Sequence, residues 1–181
     1  HERDGTEIIW RKCDRLSEFG KVQNREFNEN VADAKSELAL IFHRFLAGVD
    51  GVRKLKIKFN GDCLAPIDPF IKSHVATQEK PIEHLELDGH VFTAQAFILP
   101  HFSKLSGVEN SQLGGREGLI RNQGFYIYRQ NRLIMYGTWF GLVKFGELSQ
   151  LVRIAVNLPN SLDAIWKITV DKSEAQLPSG L

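Results

Sequence analysis

A short run of cations is the feature of the sequence best suited to binding an anion. Three lysines alternate with three apolar residues in the run Lys54-Leu55-Lys56-Ile57-Lys58-Phe59. Successive side chains of a β-strand point to opposite faces, so the alternation predicts one basic face and one apolar face. Arg53 adds a fourth cation next to this face, which could therefore contact the phosphates of a nucleic acid. The same pattern is also typical of a strand whose charged face is only solvated.

The motifs of familiar nucleotide-binding and catalytic sites are missing from the sequence. Neither a P-loop nor a dinucleotide fingerprint occurs, no G-x-S-x-G elbow is present, and the six histidines have no metal-ligand spacing such as H-E-x-x-H. Cys13 and Cys63 are far apart, whereas a zinc site needs about four clustered ligands. The Gly114-Gly115-Arg116 segment could hold an anion, but a Gly-Gly pair more often marks flexibility. We therefore predict no metal site and no independent enzyme.

The composition is that of a globular protein with no need of a metal or a disulfide. The 181 residues are 43% hydrophobic and 25% charged, and the formal net charge of +1 does not favour nucleic acid or an anionic membrane. No apolar run approaches the roughly 20 residues that span a bilayer, and the polar start is unlike a signal peptide. We expect a cytoplasmic protein with reduced thiols and no membrane partner. The chain opens at His1 without a methionine, so we expect a fragment or a processed product.

The first 30 residues predict a strand followed by a connector. Thr6–Trp10 is rich in β-forming residues and follows a glycine, which indicates a short strand. Residues 13–30 are polar and charged, with few apolar side chains. We interpret them as a connector and place the main boundary of the chain there.

The next segment predicts the clearest helix of the sequence. Apolar residues recur at three- and four-residue steps from Val31 to Ala47, which lines one helical face. Asn30 is suited to cap the start of this helix, and Gly48 is suited to end it. His43 and Arg44 fall near the edge of the apolar stripe, and we interpret them as a polar flank.

The remainder of the chain predicts hairpins and few helices. The predicted strands are 55–59, 62–67, 83–88, 91–99, 124–128, 132–136, 152–158 and 168–170. Asn60-Gly61 is a strong signal for a two-residue turn between the first two of these strands. Residues 101–118 are polar and rich in glycine, which favours a mobile surface loop, and 161–166 predict a short helix. Strands grouped in this way predict an α+β domain with a mostly antiparallel sheet.

Three segments, taken in order, resemble one known family. They are Gly5-Thr6-Glu7-Ile8-Ile9-Trp10, the block Asn122–Arg129 with Asn131-Arg132-Leu133-Ile134, and the blocks Asn160–Asp163, Trp166–Ile168 and Asp171–Ser173. The first is similar to the strand that ends the ATP-binding domain of GHKL-type ATPases, the histidine-kinase, gyrase and heat-shock-chaperone group. The second resembles the G-x-x-[IV]-Y-x-x-x-R-L-I hairpin of bacterial members and of the microrchidia ATPases. The third looks like the end of the same region.

The resemblance implies that the chain is the transducer region that follows the ATP-binding domain. Residues 1–12 would then hold the last strand of that upstream domain, 13–30 the connector and 31–181 the transducer. The family fold is α+β with a left-handed βαβ crossover, similar to a domain of a small-subunit ribosomal protein. ATP and Mg²⁺ would be bound by the upstream domain of the full-length protein, and this fragment would hold no cofactor.

The resemblance also implies a role for one residue and a set of partners. Transducers of this family commonly lend a basic residue to the γ-phosphate, and Lys172 is the best match here. The gyrase-like Q-T-K pattern is absent, and Asp171-Lys172-Ser173 is a loose equivalent. Hydrolysis would occur only in the complete protein. The upstream domain is the expected partner, a homodimer and DNA are further possible ones, and the alternative function is a nucleic-acid-facing module that uses Lys54, Lys56 and Lys58.

Overall fold

The computed structural model describes residues 5–11, 24–49, 51–87, 89–147 and 149–159. The chain divides into two compact units, His1–Glu37 and Leu38–Leu181. The described helices are α1 (Asn24–Ile41), α2 (His43–Ala47), α3 (Gly107–Gln112) and α4 (Gly115–Arg121), with a 3₁₀ turn at Phe102–Lys104. The described strands are β1 (Lys58–Phe59), β2 (Asp62–Cys63), β3 (Gln78–Leu87), β4 (His90–Ile98), β5 (Gly124–Arg129), β6 (Arg132–Thr138) and β7 (Val152–Leu158).

The second unit is an α+β fold built on a five-stranded sheet of order β3-β4-β7-β5-β6. The pairs β3–β4, β4–β7 and β5–β6 are antiparallel, and β5–β7 is parallel. The predicted fold class and the mostly antiparallel sheet are therefore confirmed. None of the described helices is long and apolar enough to cross a membrane.

Both faces of the sheet carry apolar side chains. Along β5, Tyr126 and Tyr128 pack with Phe70 and Phe97 on one face, while Ile127 packs with Val156, Phe92 and Leu158 on the other. This alternation follows from the two-residue period of a strand. A third cluster of Ile71, Leu99, Leu113 and Leu119 packs the helical segment α3–α4. β5 and β7, the parallel pair, thus lie in the interior of the sheet.

The N-terminal predictions need two corrections. Residues 5–11 form no strand, and Ile8, Ile9 and Trp10 are exposed. A strand needs a neighbouring strand to pair its backbone groups. None of the described residues pairs with this segment. The predicted helix start at Val31 is also wrong, because the chain is already helical from Asn24. Residues 24–30 contain no glycine or proline, and the Arg25–Glu29 pair at 3.0 Å spans one helical turn.

The predicted helix end is confirmed, although the helix is interrupted. Phe42 (φ −102°, ψ 16°) separates α1 from α2, and Gly48 ends α2 in the left-handed region with φ 70°. The Gly48 N–H donates to the Arg44 carbonyl at 2.9 Å. Gly48 therefore closes the last turn in the way that favours glycine at this position.

The hairpin signals are confirmed with changed strand lengths. Asn60 (φ 51°) and Gly61 (φ 90°) form the predicted turn, but β1 and β2 have only two residues each. The return segment leaves the ladder, since the Ile67 N–H donates to the Ala39 carbonyl at 3.2 Å. The predicted pairs 83–88 with 91–99 and 124–128 with 132–136 form β3–β4 and β5–β6, and 152–158 forms β7.

The predicted mobile loop at 101–118 is wrong. Ser106 and Glu109 form a capping box that starts α3, in which the Ser106 N–H donates to Glu109 Oε2 at 2.8 Å. Gly114 (φ 75°) and Gly115 (φ 68°) make the sharp turn into α4. Two short helices need little apolar periodicity when caps and a glycine pair define their ends. The predicted helix 161–166 and strand 168–170 lie outside the described residues.

Candidate functional site

The predicted basic face is only partly formed. Arg53, Lys54, Lys56 and Lys58 are all exposed, yet only Lys58 belongs to a strand. Leu55, which the alternation assigns to the apolar face, is 42% exposed. The alternation holds further along, since Ile57 and Phe59 are half-buried while Lys56 and Lys58 are exposed. The Leu64 N–H also donates to the Ile57 carbonyl at 2.9 Å. The exposure of all four cations remains.

The other sequence-predicted sites give no ligand geometry where the structure describes them. Lys172 lies outside the described residues. Gly114-Gly115 serves as a helix junction, and Arg116 pairs with Glu147 at 3.9 Å with both side chains exposed. Within the part of the chain that the structure describes, no group of three or more His, Cys, Asp or Glu residues could hold a metal ion.

A buried polar cluster among the described residues surrounds Arg44, which the sequence predicted only as a polar flank. The Arg44 cluster consists of His43, Arg44, Tyr128, Asn131 and Asn157. Arg44 Nη1 donates to Asn131 Oδ1 at 3.1 Å and to Asn157 Oδ1 at 2.6 Å. Its guanidinium carbon lies 3.5 Å from the centroid of the Tyr128 ring, a distance suited to a cation–π contact. The expected polar flank of the helix is thus buried, with Arg44 only 8% exposed.

His43 anchors the same helix to the same tyrosine. His43 Nε2 and the Tyr128 hydroxyl lie 2.8 Å apart, and the two rings meet edge to face. Burial, followed by the nearby charges of Arg44 and Lys72, lowers the pKa of His43 from 6.5 to about 3. Burial likewise raises the pKa of Tyr128. Both groups are therefore neutral near pH 7, and only Arg44 brings charge into the cluster.

An open groove of about 310 Å³ lies against this cluster. It is lined by Val91, Phe92, Thr93, Gln130, Asn131, Asn157, Leu158 and Pro159. Asn157 Nδ2 donates to Thr93 Oγ1 at 3.1 Å, which links the Arg44 cluster to the groove wall. The last β4–β7 pair is Thr93 with Asn157, so the groove begins where these two strands part.

A second buried arginine has a structural role. Arg153 is fully buried, and its guanidinium donates to the carbonyls of Gln150, Val152 and Leu119 at 3.0 to 3.1 Å. Its Nε has no partner among the described residues. Gln123, also fully buried, accepts from Trp139 Nε1 at 3.0 Å and from Ser149 Oγ at 2.6 Å. Both side chains therefore supply hydrogen-bond partners for the irregular segments around α4 and the start of β7.

The fold and the site together define an α+β domain with a mixed five-stranded sheet and a polar groove. Comparison with protein-family models, with curated proteins and with solved structures found no match.

Proposed function

We propose that the chain is the transducer region of a GHKL-type ATPase. In this role it couples ATP binding and hydrolysis in an upstream domain to conformational change. The observation that carries the proposal is the β5–β6 hairpin. This hairpin is formed by residues of the segment that resembles the family hairpin. Its first strand, β5, lies inside the sheet beside the parallel strand β7.

The finer fold belongs to the same proposal. A transducer of this family has a left-handed βαβ crossover and resembles a ribosomal-protein domain. The predicted helix 161–166 and strand 168–170 follow β7 and would complete such a unit, and both lie outside the described residues. The proposal is supported by the α+β class and by the mostly antiparallel sheet.

The proposal assigns the chemistry to the full-length protein. The upstream domain would bind ATP and Mg²⁺ in the cytoplasm, and Lys172 would contact the γ-phosphate from the transducer side. A cation there stabilises the charge of the transferring phosphoryl group. It also makes the two nucleotide states differ in their contacts, which a conformational switch requires.

Replacing Lys172 with alanine in the full-length protein is expected to lower kcat for ATP hydrolysis by about 100-fold, the typical effect of losing one charge-stabilising donor. Steady-state turnover and nucleotide affinity, measured separately, check this result. Lys172→Arg should retain most of the rate because it keeps the charge. Lys144→Ala removes an exposed lysine of the β6–β7 connection and serves as the control. Turnover that is equal in the Lys172→Ala and control proteins would remove Lys172 from the mechanism.

A second candidate function is binding to DNA through Arg53, Lys54, Lys56 and Lys58. The observation that favours it is that all four are exposed and that none forms an ion pair with another described residue. Cations of this kind would contact phosphates without reading the base sequence.

The double variant Lys54→Ala/Lys56→Ala is expected to reduce the salt dependence of DNA affinity. Each lost phosphate contact lowers the slope of log affinity against log salt by about 0.9, so the slope should fall by about 2. Fluorescence anisotropy with a duplex at several salt concentrations measures it. The double variant Lys80→Ala/Lys104→Ala removes the same charge elsewhere on the surface. Equal slopes in the two variants would exclude this surface as the DNA contact.

A further inference from the structure

The groove beside the Arg44 cluster has polar walls whose donor and acceptor atoms can be assigned from the hydrogen bonds. A guanidinium has five N–H donors and no acceptor. Asn131 and Asn157 must therefore turn their Oδ1 atoms toward Arg44. This requirement fixes the orientation of both amide groups, which geometry alone often leaves open.

The fixed amides determine what the groove presents. Asn157 Nδ2 donates to Thr93 Oγ1 at 3.1 Å, so the hydroxyl of Thr93 accepts there and keeps its own proton to donate. No described residue accepts that proton or a hydrogen bond from Asn131 Nδ2. Both residues line the groove. The groove therefore presents two donors without a described acceptor, the Thr93 hydroxyl and the Asn131 amide, beside the exposed amide of Gln130.

The electrostatics of the groove agree with this assignment. None of the eight lining residues is acidic, and the positive charge of Arg44 lies one hydrogen bond behind Asn131 and Asn157. The charge is held in a buried position, where the effective dielectric constant is lower than in water. Val91, Leu158 and Pro159 add an apolar wall next to the donors.

We propose that this groove binds an oxyanion, a carboxylate or phosphate group carried by a small molecule with an apolar part. The anion would accept from Thr93 Oγ1 and Asn131 Nδ2, and the apolar part would lie on Val91 and Pro159. Hydrogen bonds to an ionised acceptor are stronger than those between neutral groups. A volume of about 310 Å³ accommodates a ligand of this kind. The site is independent of the proposed transducer role.

The test is a titration of the 181-residue chain with inorganic phosphate and, separately, with acetate and butyrate. Side-chain amide and backbone NMR signals of Asn131 and Thr93 should shift in a saturable manner, while sodium chloride at equal ionic strength should not reproduce the shift. Tighter binding of butyrate than of acetate identifies a carboxylate with an apolar tail as the ligand. Saturation with phosphate alone identifies a phosphate group.

Variants of the two donors complete the test. Thr93→Val keeps the shape of the side chain and should weaken binding by about tenfold, the effect of one charge-assisted hydrogen bond. Thr93→Ser retains the hydroxyl and should bind as the parent does. Asn131 has φ 66°, a conformation that aspartate tolerates. Asn131→Asp keeps an oxygen acceptor for Arg44 and removes the second donor, even if Thr93→Val does not fold. Shifts that follow only ionic strength, or equal affinities in parent and variants, would overturn the proposal.

Discussion

Replacing Gly124 with alanine is expected to lower the free energy of unfolding by about 3 kcal/mol, the sum of overpacking and a strained backbone. Gly124 is buried at the start of β5 and has φ 103°. An added Cβ would overlap the carbonyl group of Thr138 and press on the Trp139 ring. The obstacle is mainly backbone, so it cannot move aside as a flexible side chain could. Urea unfolding of the two proteins at pH 7 measures the difference.

A second glycine separates the two causes of this loss. Gly141 also has a positive φ, 79°, but a Cβ there would meet nothing within 4 Å. Gly141→Ala should therefore show only the backbone strain, about 1 kcal/mol. The excess loss in Gly124→Ala measures how tightly the first residue of β5 packs against the end of β6. Equal losses in the two variants would contradict the packing that places β5 inside the sheet.

Much of the local structure could be predicted from short-range signals. Asn60, Gly61 and Asn131 occupy positive-φ turn positions in which those residue types are favoured. The strands on either side of these turns pair with each other, so a local turn also gives the pairing. β7 was predicted with its observed bounds because apolar and β-branched residues fill it from Val152 to Leu158.

The order of the strands could not be obtained in the same way. β7 inserts between β4 and β5, far along the chain from β4. The pairing of two strands that are distant in sequence depends on the side chains that they present to each other. No local turn signal predicts such a pairing. The α3–α4 segment was missed for a different reason. Its Ser106-x-x-Glu109 capping box is a readable signal, but the polar, glycine-rich composition around it favoured a loop.

The Arg44 cluster was missed because its members are distant in sequence. Arg44 meets Asn131 across 87 positions and Asn157 across 113. Nothing within one turn of α2 distinguishes a buried arginine from a solvated one. The available signals were two asparagines, one in a hairpin turn and one at the end of an apolar strand, and each has an ordinary local explanation. Only the three-dimensional structure shows that both asparagines accept hydrogen bonds from the same guanidinium.

Acidification from pH 7 to pH 5 is expected to destabilise the protein by about 2 kcal/mol through His43 alone, at about 1.4 kcal/mol for each pH unit below 6.5. The pKa of this histidine is lowered to about 3 in the fold, first by burial and then by the charges of Arg44 and Lys72. Below pH 6.5 the unfolded chain therefore binds a proton that the folded protein does not bind. Stability is complete above pH 6.5 and is lost progressively as the pH falls toward 3.

His43→Gln isolates this contribution, because glutamine can still hydrogen-bond to the Tyr128 hydroxyl, which lies 2.8 Å from Nε2, but cannot titrate. Subtracting the unfolding free energies of the variant from those of the parent, measured by urea between pH 5 and 7.5, removes the contributions of all other groups. The lowered pKa of Glu109 and the raised pKa values of Tyr126 and Tyr128 also fall outside this range. The difference should shrink by about 2 kcal/mol as the pH falls to 5. Parallel curves would mean that His43 is already accessible to protons in the folded state, and the contacts that join α2 to β5 would then be wrong.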